Sequence, residues 1–103
     1  MSDTPQTDNS LFDDEAISAL LATPVEQVLA NHVFHLMELA AVHLSATPPN
    51  LRQAQVVIDA VTGLLEKVGE RIGEHHQLFA ASLSQMQLAY VRAATAHAQD
   101  SAN

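Results

Sequence analysis

The sequence predicts an all-α fold of three main antiparallel helices preceded by a short one. Three observations carry this. Apolar residues recur in alternating steps of four and three through three long segments, the period of one helix face. Capping residues, prolines and glycines bracket those segments. No alternating strand pattern competes, since the only β-branched run, Val56-Val57-Ile58, lies inside a strong helical period.

The short first helix is expected over about 11–22. Asp13, Asp14 and Glu15 fall in its first turn, where the helix dipole favours negative charge, and Ile17, Leu20 and Leu21 give it one apolar side. So short a helix is not stable alone, so it must dock on the rest or fray. The second helix is expected over about 24–46. Thr23 suits the N-cap, Pro24 the first helical position, and Glu26 completes a capping box. Two apolar stripes run along it: Val25, Leu29, His32, Leu36, Leu39, His43, and Ala30, Phe34, Met37, Ala41, Leu44. Two stripes predict burial over much of its circumference. Pro48-Pro49 lies beyond its end, since proline is excluded from a helix interior.

The third helix, about 50–68, opens on Asn50 with Gln53 three residues on, another capping-box pattern. Its stripe is Leu51, Ala54, Ile58, Val61, Leu65, Val68. Gly63, off that stripe, is expected to permit close helix approach, and Gly69 to end the helix. The fourth helix, about 74–97, repeats the alternation in Phe79, Leu83, Met86, Tyr90, Ala93 and His97. The organisation expected is a disordered acidic tail over 1–10, one helical domain over 11–98 and a disordered tail over 99–103. Short connections make the three main helices antiparallel neighbours.

Composition narrows the function. The 103 residues carry four Lys/Arg against twelve Asp/Glu, a formal charge of −8. Nucleic acid and anionic membrane surfaces are therefore not expected partners, because both are held by clustered Lys and Arg. Five of the twelve acids sit in the first fifteen residues, a solubilising tail. There is no cysteine, which excludes disulfides, thiolate metal sites and thiol nucleophiles. The first residues lack the basic and apolar regions of a secretion signal, and a cytoplasmic location is expected. Val33 to Leu44 is interrupted by His35, Glu38 and His43, and about 18 Å of helix falls short of a bilayer core.

No catalytic constellation is present, and no enzyme is expected. Ser82 and Ser84 lie within a helix without a positioned base, Gly63, Gly69 and Gly73 are too sparse for a phosphate loop, and Asp59 and Glu66 lie on a polar face. No cofactor is implied. The six histidines are the unusual feature. His32, His35, Glu38 and His43 lie at spacings that place imidazoles and a carboxylate near one another on a helix, a pattern that can hold zinc or iron. His32 and His43 also fall on the apolar stripe, where a core histidine bonded to a carbonyl accounts for them. His75-His76 suits a solvated helix start.

The order of motifs resembles a known family. Pro24-Val25-Glu26-Gln27-Val28 opens the main helix, which continues to Ala40-Ala41-Val42-His43-Leu44. A Pro-rich link leads to Asn50-Leu51-x-x-Ala54-x-x-x-Ile58-Asp59-x-Val61-x-Gly63-Leu64, and the chain closes on Leu83-x-x-Met86-Gln87-Leu88-Ala89-Tyr90-Val91. Over about residues 24–93 this resembles the DUF1844 family of small bacterial proteins of unknown function. The resemblance implies a bacterial, cytoplasmic, helical protein and supplies no catalytic residue.

The apolar surface is too wide for one small bundle. Helix two offers two stripes, and helix four adds Leu88 and Val91 outside its own. A homodimer or higher oligomer is therefore expected, with Phe34, Met37, Leu88 and Val91 as interface candidates. The leading expectation is a non-catalytic, self-associating interaction or structural module, with an unidentified protein as a further partner. The alternative is a bundle that binds a metal or small molecule through the histidines of helix two.

Overall fold

The computed structural model describes residues 13–102. The tail expected over 1–10, and residues 11, 12 and 103, lie outside the described residues. The described chain is all-α, 88% helical, with four α-helices and no strand. The helices are α1 (Asp14–Ala22), α2 (Val25–Ser45), α3 (Leu51–Val68) and α4 (His76–Ala102). A single 3₁₀ turn, Gly69–Ile72, links the last two.

The helix ends explain the boundaries. Asp13 caps α1, its side chain accepting from the Ala16 N–H at 2.7 Å. Thr23, expected to start α2, instead closes α1. Its hydroxyl donates to Ala19 O at 2.8 Å and its N–H to Leu20 O. A threonine hydroxyl so engaged four residues back is spent on the preceding helix. The N-cap of α2 is Pro24, and no side chain caps it. Asn50 likewise makes no side-chain cap. Its N–H donates to His43 O at 2.9 Å, and its Nδ2 donates to His43 Nδ1 at 3.2 Å, tying the end of α2 to the start of α3.

Helices α2, α3 and α4 pack on one another in all three pairings, and the 3₁₀ turn touches each. One cluster forms the main core: Ala30, Val33 and Met37 from α2, Val61 and Leu65 from α3, Ile72 from the turn and Phe79 from α4. On α3 the buried residues Ala54, Ile58, Val61 and Leu65 fall on the expected stripe. On α2 they match the expected stripes only in part. The buried residues are Ala30 and Met37, from the second stripe, with Val33 and Ala40, which belong to neither, and His32, Phe34, Leu39 and Ala41 are left exposed. With apolar residues on most sides of α2, packing against α3, α4 and the 3₁₀ turn decides which of them are buried.

Of the two outcomes expected for α1, docking on the rest or fraying, docking is not what the structure shows. Among the described residues it touches no other element, and none of its residues is buried. The outline shows the consequence: the described molecule measures 64 × 37 × 17 Å, with a radius of gyration of 18.6 Å, against about 13 Å for a compact domain of this length. Helix α4 also runs further than expected, continuing through Ala102 past the boundary placed at 98.

Gly69 (φ 58°) opens the 3₁₀ turn and Gly73 (φ 103°) follows it, both in backbone regions that side chains avoid. Between them Ile72, absent from the expected core, is driven into it at 2% exposure. Gly63 serves no close approach, because a Cβ there would meet no atom within 4 Å. It is an exposed helix-interior glycine, which costs about 1 kcal/mol relative to alanine. Gly63→Ala is therefore expected to stabilise the protein by about 1 kcal/mol, read as a shift in its urea midpoint at unchanged slope. A destabilised variant would show that α4 or another surface needs that space.

No buried side-chain nitrogen or oxygen lacks a partner among the described residues. Two polar bonds on the surface join α3 to α4. Tyr90 Oη donates to Gln55 Oε1 at 2.8 Å, and Gln87 Nε2 donates to Thr62 Oγ1 at 3.4 Å. Among the described residues no helix is long and apolar enough to cross a membrane.

Candidate functional site: an apolar groove between α2 and α4

The helices leave one markedly apolar concavity. It lies between α2 and α4, with a volume of about 390 Å³. Met37, Phe79 and Met86 supply its inner wall, and Phe34 and Leu78 its rim, with Ala41 between. The polar side chains on it are Glu38 and Ser82. Phe79 is buried, and its ring meets that of Phe34 at 6.4 Å and 58°, a tilted arrangement that aromatic pairs favour. Phe34 itself stays 59% exposed and Leu78 56%. Two large apolar side chains thus stand exposed on the groove, one from each helix.

The groove arises from the burial pattern of α2. Turning Ala30, Val33, Met37 and Ala40 inward leaves Phe34 and Ala41 one step round the helix, on the side of α4. On α4, Phe79 points into the core, so its neighbour Leu78 is carried outward. Leu78 had no place on the expected stripe, and adjacency to the deepest residue of α4 is the signal that would have found it. Two thioethers, Met37 and Met86, line the groove, and methionine adapts its shape to varied apolar surfaces.

The four interface candidates are distributed differently. Phe34 and Met37 come together at this groove, Met37 at 8% exposure as part of the core wall. Leu88 and Val91 lie elsewhere on α4, 48% and 57% exposed. Val91 lines a smaller hollow of about 180 Å³ with Gln55, Ile58, Asp59, Gln87 and Tyr90.

The histidine candidates do not converge. His32 and His35 are exposed rather than in the core, and each engages its own helix through Nδ1, with Val28 O and Asn31 O, both at 2.8 Å. A ring held in this way donates from Nδ1 to the carbonyl, so His32 is a surface residue satisfied locally, not a buried one. His43 is half-buried and bonded to Asn50, and Glu38 stands on the groove. Among the described residues no group of three or more His, Asp or Glu side chains is placed to hold a metal ion. A further hollow of about 500 Å³ at the start of α2 includes Glu26, Glu74 and His75. There His75 Nε2 lies 3.9 Å from Glu74 Oε2, both side chains more than half exposed, so the pair contributes little.

No family model, no curated protein and no solved structure matches this chain.

Proposed function

We propose that this protein is a non-catalytic interaction module that associates with itself through the α2–α4 face. One observation carries the reading: Phe34 and Leu78, both more than half exposed, rim an apolar groove of about 390 Å³. Leaving such a surface in water is unfavourable by about 25 cal/mol per Å² of apolar area, and a second molecule removes that cost. The three main helices are taken as an antiparallel array, a reading supported by the pairs Gln55–Tyr90 and Thr62–Gln87, whose numbers rise on α3 as they fall on α4. Membership of the DUF1844 family and a cytoplasmic location belong to the same proposal. They rest on the Asn50-Leu51 to Gly63-Leu64 run, the Leu88-Ala89-Tyr90-Val91 ending, and the absence of cysteine.

Light scattering over a wide concentration range tests it. The protein is expected to be a dimer that dissociates on dilution, and Leu78→Glu to shift it to monomer, with helical circular dichroism unchanged because Leu78 lies outside the core. A protein that stays monomeric at every concentration overturns self-association.

A further inference from the structure

We infer that the groove between α2 and α4 is filled by α1 of a second copy, so that two chains exchange their N-terminal helices. This rests on self-association as proposed above and says which surfaces meet.

Two of the exposed apolar surfaces among the described residues complement each other. One is the groove. The other is α1, a nine-residue helix that touches no other described element, with Leu20 62% and Leu21 83% exposed and Ile17 beside them. An isolated helix of that length is not stable in water, so its helical form requires a surface to bury its apolar side. Sizes agree: a cavity of about 150 Å³ accommodates one benzene-sized group, and the groove has room for about two large aliphatic side chains.

Among the described residues, Leu20 and Leu21 cannot make this contact with the groove of their own chain. Thr23 and Pro24, both extended at ψ 129° and 135°, are the only residues between α1 and α2. If α1 turned back along α2, Leu21, two residues before Thr23, would come level with about residue 26 or 27. The groove begins at Phe34, about 10 Å further along at 1.5 Å per residue. Leu20 and Leu21 therefore fall short of their own groove. A second copy faces no such restriction, and two-fold exchange fills both grooves with both arms.

The absence of cysteine gives a clean test. The double variant Leu21→Cys/Leu78→Cys is oxidised and run on a non-reducing gel. Disulfide-linked dimers are expected, well above the level either single variant gives. An intrachain disulfide, or no cross-link above the single variants, overturns the exchange. In parallel, Leu21→Glu is expected to raise the dimer dissociation constant at least about tenfold, the scale of one buried leucine. Mixing Leu21→Glu with Leu78→Glu is expected to restore dimers, since the pair retains one intact arm and its groove. A wild-type dimer that Leu21→Glu leaves unchanged overturns the exchange and leaves self-association standing. A wild-type monomer overturns both.

Discussion

Replacing Phe79 with alanine is expected to lower the unfolding free energy by about 3–5 kcal/mol. Phe79 is 3% exposed and is the one α4 residue among the buried members of the main cluster, whose other members come from α2, α3 and the 3₁₀ turn. Its ring faces Phe34 at 6.4 Å and His75 at 5.9 Å. Truncation loses the burial of the ring and both aromatic contacts, and it leaves a cavity that opens into the groove. Domains of ordinary stability unfold at a cost of about 5–15 kcal/mol, and one this small sits low in that range. The loss therefore removes a large part of the whole. Urea unfolding at fixed protein concentration measures it, because dissociation would otherwise add to the apparent change. Phe34→Ala, at an exposed ring, is expected to cost clearly less. Equal losses at the two positions would mean that Phe34 is as buried in solution as Phe79, as a permanent dimer would make it.

Ala54→Glu is expected to abolish cooperative unfolding at neutral pH. Ala54 is fully buried on α3. The described residues include no buried polar or charged side chain, so an introduced carboxylate finds no partner. A buried unpaired charge is among the most destabilising changes available, and here excess volume adds to it. Ala54→Leu separates the two causes, with an expected cost of about 1–3 kcal/mol from overpacking alone. Thermal melts by circular dichroism read both. A cooperative melt for Ala54→Glu close to that of Ala54→Leu would mean that α3 can turn this position to solvent.

The sequence announced α3 most clearly, because its apolar residues occupy one narrow stripe and its other side is polar. Leu51, Ala54, Ile58, Val61, Leu65 and Val68 are all buried or half-buried. On α4 the series Phe79, Leu83, Met86, Tyr90 and Ala93 is likewise turned inward, with His97 exposed. Helix α2 was legible as a helix but not in its orientation. Apolar side chains surround it, so periodicity alone could not choose among faces, and Val33 and Ala40, on neither expected stripe, are buried with Ala30 and Met37. Ile72 was invisible for another reason: a lone isoleucine between two glycines has no period. Helix α1 was legible as a short helix with one apolar side, but whether it docks could not be read from nine residues, and it does not dock on the other described elements. The groove was half legible. Phe34 and Met37 stood on the second apolar stripe expected for α2, whereas Leu78 gains its place only from the outward turn forced by Phe79.

The core described above holds apolar side chains alone. Such an interior recognises its residues by volume and shape, without the directional demand that a buried hydrogen bond or ion pair makes. Valine, isoleucine, leucine and methionine can then trade places among positions as long as the total filled space is kept. Two lineages can follow different series of such trades, each tolerable by itself, and arrive at the same three packed helices with few letters in common. In a chain built this way, ancestry fades from the text faster than from the shape.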